Sequence, residues 1–226
     1  MATTYEGMLN IYEGMLNEAG NSFSRAMTIN KGLKDPNLEN YVMIQWGNLY
    51  RHKGLFDSAF YYLEQAETTA RTMKFKGYLA ITKMNKARTF LILENADSAL
   101  AQLRVAESIW KETGNTASLQ DTWLLMANGY RVKSELDEAE RYVKKAVEAN
   151  PGQPAIRGQS LINMGEIYFS RGDFPKALEN WQEVLKMQKQ LNYRYELAYL
   201  LLRIAEAYEE EGFYYLAAEY LSQALK

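Results

Sequence analysis

The sequence predicts an all-α solenoid in which six pairs of helices stack one after another. The first observation is a series of alanines separated by 40, 40, 40, 38 and 40 residues: Ala19, Ala59, Ala99, Ala139, Ala177 and Ala217. The second is a motif ahead of them, Gly47-x-x-Tyr50 and then Gly54, which recurs with variations along the chain. Apolar residues at three- and four-residue spacing accompany the alanines, which is typical of a helix with one buried face. Because a regular internal period favours one array, we expect residues 1–226 to form a single domain.

Six approximate repeats follow from this period: residues 1–39, 40–79, 80–119, 120–157, 158–197 and 198–226. The first repeat contains a duplication, because residues 5–10 and 12–17 are identical. Gly7 and Gly14 then match Gly47 and Gly54, which predicts a short first helix, a turn and a second helix. Low-complexity slippage or an artificial duplication is the alternative interpretation.

The later repeats keep the pattern to different degrees. The third is the most degenerate, but its alanine stripe is intact, and the fifth is the most regular, with Gly165, Tyr168, Gly172, Phe174, Ala177 and Trp181 at the expected places. We interpret the recurring aromatic residues Tyr50, Phe90, Tyr130, Tyr168 and Tyr208 as packing residues. Glycine and proline predict helix ends. Residues 31–37 are therefore expected to connect the first two repeats, residues 76–77 to end the second, and residues 113–115 to close the third.

These motifs resemble the tetratricopeptide repeat, whose pattern is W-x-x-L-G-x-x-Y, then A-x-x-x-F, then P. Here Trp46 stands next to Gly47, whereas the family pattern places tryptophan four residues before the glycine. The usual repeat has about 34 residues, so this chain resembles the longer-period subclass. The resemblance implies a right-handed α-α superhelix, with the first helix of every repeat lining its concave groove. Such a likeness is informative about fold and not about function.

The resemblance also implies which side chains line the groove. Several are amides, which can both donate to and accept from a peptide backbone. Arginines and a histidine occupy the second to fourth repeats, whereas glutamates occupy the fifth and sixth, and arginine pairs well with carboxylates. We therefore expect an extended peptide with its acidic part or C-terminal carboxylate toward the arginines and a basic part toward the glutamates. The predicted contacts are Gln45, Asn48, Arg51, His52, Asn85, Arg88, Asn128, Arg131, Asn163, Glu166 and Glu206. An ordinary solvated helix face is the alternative.

The residues that enzymes require are scarce in this sequence. A single histidine, His52, is incompatible with a multi-histidine metal site, and without cysteine there is no thiol nucleophile. The phosphate-binding motif G-x-x-x-x-G-K-[ST] is absent from the sequence. Consecutive acidic residues such as 209–211 point around a helix and do not converge. We expect no catalysis, no cofactor and no metal.

Charge and hydropathy restrict the partners. Basic and acidic residues number 26 and 28 and are interspersed, so nothing marks a nucleic-acid surface. No apolar run approaches the roughly 20 residues of a membrane span, and we expect a soluble, cytoplasmic chain, with an extracytoplasmic location not excluded. The last repeat ends on an apolar stripe containing Leu216, Tyr220 and Leu225, which suggests either a chain cut from a longer protein or a homodimer contact.

Two functions follow from these observations. The first is a non-enzymatic interaction module that binds a protein or an extended peptide in the groove. The second is a sensory or dimerisation segment of a larger bacterial signalling protein, such as a sensor kinase or a transcription regulator.

Overall fold

The computed structural model describes residues 2–150, 152, 154–191 and 197–225, and describes only the backbone of residues 188–191. These residues form twelve helices: α1 Ala2–Tyr12, α2 Leu16–Leu33, α3 Pro36–His52, α4 Phe56–Thr72, α5 Lys76–Ile92, α6 Ala96–Thr113, α7 Thr116–Val132, α8 Leu136–Ala149, α9 Pro154–Ser170, α10 Phe174–Leu191, α11 Leu197–Glu210 and α12 Tyr214–Ala224. Consecutive helices pair antiparallel. The predicted all-α architecture of six helix-turn-helix repeats is confirmed.

The helices form two compact units, Met1–Asn115 and Thr116–Lys226. Within each unit every helix contacts the next one in the chain. In the first unit α3 also contacts α1 and α5, and in the second unit α7 contacts α9. The first helices of neighbouring repeats therefore lie side by side within a unit. The interpretation of the whole chain as a single domain stays a prediction.

The alanines of the 40-residue period lie where two helices meet. Five of the six are 0% exposed, and Ala217 is also buried. The two helices of a repeat also approach closely at two glycines of the motif. A Cβ atom on Gly47 would lie 2.6 Å from Cγ of Leu63, and one on Gly165 would lie 2.2 Å from Nε1 of Trp181. Small residues at these positions let the two helices of a repeat touch.

The duplicated segment of the first repeat folds as predicted, into α1, a turn and α2. Gly14 has φ +75° in the turn, a conformation that glycine adopts without strain. Gly7 packs so closely that an added Cβ would lie 2.3 Å from the Phe23 ring. The two copies thus serve different structural roles, because the first copy packs and the second turns.

The predicted connectors are partly wrong. Residues 31–37 are mostly helical, because α2 continues to Leu33 and α3 begins at Pro36, where the missing N–H of proline is harmless. Residues 76–77 open α5 and do not end α4. The first turn lies within the predicted range, at Lys34, whereas the second lies before it, at Lys74; both residues are in the left-handed region, with φ of 52° and 58°. The predicted closure at residues 113–115 is confirmed, with φ +67° at Gly114.

Most of the recurring aromatic residues pack inside their own repeats, as predicted, whereas Phe90 packs on Phe60 of the preceding repeat, with ring centroids 4.7 Å apart. Tyr50 stacks on Tyr62 with ring centroids 5.3 Å apart, and Tyr130 stacks on Tyr142 at 5.2 Å. Offset stacking of this kind adds to the burial of the rings. These aromatic residues therefore fix the two helices of a repeat to each other.

Candidate functional site

The predicted amides of α3 lie together on the first-helix face of the first unit. Nδ2 of Asn48 donates to Oε1 of Gln45 at 3.2 Å. Gln45 is buried, whereas Asn48 is half-buried, and Oδ1 of Asn48 has no hydrogen-bond partner. This oxygen is itself buried, so it accepts a backbone N–H from a ligand only when the Asn48 side chain turns outward.

Arg51 and His52, at the end of α3, also lie together. Nη2 of Arg51 lies 3.4 Å from Nε2 of His52. Burial, and then the charge of Arg51, lowers the pKa of His52 from 6.5 to about 4. The imidazole is therefore neutral at pH 7 and adds no positive charge to this face.

Two predicted amides are engaged within their own helices. Nδ2 of Asn85 donates to the carbonyl oxygen of Ile81 at 3.0 Å, and Nδ2 of Asn163 donates to that of Gln159 at 2.9 Å. Such bonds to the carbonyl four residues earlier compete with bonds to a ligand. Arg88, one turn after Asn85 on α5, is half-buried. The amides thus differ in how available they are, a difference that repeat position alone does not indicate.

The second unit carries polar side chains on each of its first helices, α7, α9 and α11. On α7, Nη2 of Arg131 donates to Oδ1 of Asn128 at 2.9 Å. On α9, the carboxylate of Glu166 is buried and accepts from the hydroxyl of Tyr199 at 2.8 Å. Arg203 donates to Glu166 from Nε at 2.9 Å. We call these five residues the second-unit polar face.

The electrostatics of this face follow from the buried carboxylate. Burial, and then the negative charge of Glu166, raises the pKa of Tyr199. The positive charge of Arg131 acts to lower the pKa of Tyr199, so this charge also acts on this face. Although burial opposes it, the hydrogen bond with Glu166 raises the pKa of Arg203. Arg203 also pairs with the exposed Glu206, so both predicted glutamates share one arginine.

The predicted contacts leave out two residues of the second-unit polar face, Tyr199 and Arg203. Arg203 occupies the same repeat position as Gln45 and Asn163, so the period does place it in the predicted groove. The predicted contacts also leave out a tyrosine cluster in the first unit. The rings of Tyr5 and Tyr41 lie 6.5 Å apart, and those of Tyr41 and Tyr78 lie 6.4 Å apart, across α1, α3 and α5. No repeated spacing marks these tyrosines.

The part of the chain that the structure describes holds neither a metal site nor a membrane-spanning helix. Among the described side chains, no group of three or more histidine, aspartate or glutamate residues could hold a metal ion. In the part of the chain that the structure describes, every helix is too short or too polar to cross a bilayer.

No protein-family model matches the sequence, and no curated protein matches it significantly. Solved structures match its fold. NprR in complex with its cognate peptide NprX has a TM-score of 0.74 and 17% identity, over 97% of this chain and 63% of that chain. A Podosopora anserina protein with nearly identical TPR-like repeats has a TM-score of 0.57 and 19% identity, over 80% of this chain and 91% of that chain. The chain has the tetratricopeptide-repeat fold.

A third match is longer than this chain. A signal transduction ATPase from Pyrococcus horikoshii with a tetratricopeptide repeat sensor has a TM-score of 0.63 and 21% identity, over 99% of this chain and 36% of that chain. The chain thus spans less than two thirds of NprR and about a third of the ATPase. Likeness at these identities establishes the tetratricopeptide-repeat fold, while the longer-period subclass stays a prediction.

Proposed function

We propose that this tetratricopeptide-repeat chain is a non-catalytic interaction module that binds an extended peptide across the first helices of its repeats. The observation that carries the proposal is the second-unit polar face, where α9 and α11 are joined by hydrogen bonds to Glu166 and α7 adds the Arg131–Asn128 pair. Arg131 is its ligand-facing cation. Of the five N–H donors of a guanidinium, the described contacts of Arg131 use one, the bond to Asn128.

The geometry supports one part of the predicted peptide orientation, the contact of the acidic part of the peptide with an arginine. Glu166 already accepts from Tyr199 and Arg203, so a basic ligand group would have to displace Arg203. Arg131 has donors to offer, and a carboxylate can take two of them side by side. We therefore assign the acidic part or the C-terminal carboxylate of the peptide to Arg131. The predicted contacts of a basic part with Glu166 and Glu206 stay a weaker prediction.

The comparisons support this proposal at the level of the fold. NprR was solved with a bound peptide, and its fold matches nearly all of this chain. The first unit adds Asn48, a half-buried amide that hydrogen-bonds to Gln45 and whose Oδ1 becomes available to a ligand when the side chain turns outward. A peptide backbone supplies N–H groups at regular intervals, whatever its sequence.

The test measures, by fluorescence polarisation, the binding of the purified chain to extended peptides with free or amidated C-termini. We expect saturable binding that depends on the free carboxylate and weakens about tenfold or more in Arg131→Ala, because a charge-assisted hydrogen bond is lost. Arg141→Ala is the matched control, since Arg141 is an exposed arginine of α8 paired with Glu138. Equal weakening by both variants, or none by Arg131→Ala, would remove Arg131 from the site.

A second candidate function is a sensory or dimerisation segment of a larger signalling protein. The observation that favours it is the match of 99% of this chain to the ATPase with a tetratricopeptide repeat sensor. In this case we expect a dimer in solution and no peptide capture. Leu225 is 89% exposed on the last repeat, so Leu225→Glu should return such a dimer to monomer mass in light scattering. A monomer at all concentrations would exclude a homodimer through the last repeat.

A further inference from the structure

A cleft of about 330 Å³ lies between α8 and α9 in the second unit. Its walls are mostly apolar, with Val143 and Val147 from α8 facing Leu161 and Met164 from α9. This volume lies at the lower end of the range for small-molecule sites, about 300–1,000 Å³. The cleft shares no residue with the second-unit polar face, so it is distinct from the proposed peptide contacts.

Ser160 supplies a polar atom to this wall. The residue is only 5% exposed, and its hydroxyl oxygen has no hydrogen-bond partner. This combination is unusual, because buried hydroxyls are normally hydrogen-bonded. Ser160 lines the cleft, so a turn of this side chain about its Cα–Cβ bond brings the unused hydroxyl to face a group bound there.

Four of the other repeats fill the corresponding position with a larger side chain. The equivalent residues, each 0% exposed, are Val42, Thr82, Thr122 and Leu200. The hydroxyls of Thr82 and Thr122 donate to carbonyl oxygens four residues earlier, at 2.8 Å and 2.7 Å. Ser160 is smaller than all four residues, and unlike the two threonines it makes no such bond. The fifth repeat therefore combines free volume with an unused hydroxyl at a position where its neighbours have neither.

The charges at the rim of the cleft indicate a neutral ligand. Nζ of Lys144 lies 2.8 Å from Oε1 of Glu140, and Arg157 is paired with Glu183. Both cations are thus already compensated, and Glu148 adds a carboxylate to the rim. An anion would find no free counter-charge. A cation would have to leave water for an apolar wall, which is unfavourable.

We propose that this cleft binds a small neutral molecule with an apolar ring or short chain and one hydroxyl or carbonyl group, which hydrogen-bonds to Oγ of Ser160 once that side chain turns toward the cleft. The valine, leucine and methionine side chains contact the apolar body of the ligand.

Benzyl alcohol and toluene are suitable probes, since they share a ring and differ in one hydroxyl. Titration calorimetry or ligand-observed NMR with the whole chain should show saturable binding of both, with benzyl alcohol about fivefold tighter, the size expected for one hydrogen bond. Ser160→Ala should keep toluene binding and abolish the fivefold preference. Equal affinity for the two probes in the unmodified chain would contradict the role of Ser160, and no saturable binding would overturn the site.

A variant that fills the cleft gives an independent test. Ser160→Val introduces the larger residue found at position 42, and should weaken both probes at least tenfold while leaving the helical circular dichroism unchanged. Thr122→Val is the matched control, because it makes a similar change at the same repeat position on α7 and should leave the affinities unchanged. Unchanged probe binding in Ser160→Val, or equal loss in Thr122→Val, would place the binding elsewhere.

Discussion

Arg203 on α11 donates to both carboxylate oxygens of Glu166 on α9, from Nε at 2.9 Å and from Nη2 at 3.1 Å. The same guanidinium lies over the ring of Phe169, 4.1 Å from its centroid. Since Glu166 is 7% exposed, its charge depends on this arginine for compensation. The pair therefore joins the first helices of the fifth and sixth repeats, in addition to forming part of the second-unit polar face.

We expect Arg203→Ala to lower the free energy of unfolding by about 3 kcal/mol, because it leaves a buried carboxylate without its partner. Urea denaturation measures this loss. The double variant Arg203→Met with Glu166→Gln removes both charges and should recover most of it. Glu206→Gln is the control, since an exposed ion pair contributes about 1 kcal/mol or less. If Arg203→Ala costs no more than this control, the contact does not join the two helices.

A second prediction concerns the contact between Gly165 and Trp181. An added Cβ would lie 2.2 Å from Nε1 of a tryptophan that is completely buried, so Gly165→Ala should lower the free energy of unfolding by about 1–3 kcal/mol. Adding Trp181→Leu reproduces the residues found at positions 87 and 103 in the third repeat, and should recover part of the loss. Thermal denaturation measures both changes.

Gly32→Ala is the matched control for Gly165→Ala. Gly32 lies near the end of α2 with open space where a Cβ would be, so alanine there should be neutral or stabilise by up to about 1 kcal/mol. Equal effects at Gly32 and Gly165 would show that helix propensity, and not the contact with Trp181, decides the outcome.

The buried core could be predicted from the sequence because the buried positions recur with the period of about 40 residues. Ala59 and Gly47 recur at fixed spacing, since each repeat must bring its helices equally close. Helix ends were predicted less well. Lys34 and Lys74 turn in the left-handed region, where glycine or asparagine is the usual signal, so the nearby Gly32 and Gly77 were misinterpreted as breaks.

The sequence could predict where the candidate site lies, but not which groups its side chains hydrogen-bond to. The period places Asn85 and Glu166 on first-helix faces, but it does not indicate what they bond to. Asn85 is engaged by its own helix, whereas Glu166 is engaged by Tyr199 and Arg203, which lie 33 and 37 positions later. Such pairing depends on the particular side chains that the next repeat happens to carry, and Ser160 was missed for the same reason.

A third prediction concerns Glu94, which has φ 55° between α5 and α6. Four other repeats and the duplicated segment turn at this position, and most use glycine, including Gly54 with φ +70°. A side chain in this region costs about 1–2 kcal/mol, so Glu94→Gly should raise the melting temperature despite the greater freedom of glycine in the unfolded chain. Gly54→Ala makes the reverse change and should lower it. A fall in melting temperature for Glu94→Gly would contradict this account of the turn.

A fourth prediction concerns acid stability and the carboxylate of Glu67, which lies 2.8 Å from Nζ of Lys83 and 2.9 Å from Nζ of Lys86. Burial raises its pKa, but hydrogen bonds from these lysines and Arg71 outweigh burial and lower it from 4.5 to about 2. A carboxyl with a lowered pKa stabilises the fold fully above pH 4.5, and this contribution disappears as the pH falls toward 2. Glu67→Gln removes this contribution. Between pH 4.5 and pH 2 the free energy of unfolding of the variant should therefore fall by about 2 kcal/mol less than that of the unmodified chain. Urea titrations at each pH measure the difference. Glu64→Gln, on the exposed side of the same helix, should leave the profile unchanged, and an unchanged profile in Glu67→Gln would show that the lysines do not hold this carboxylate.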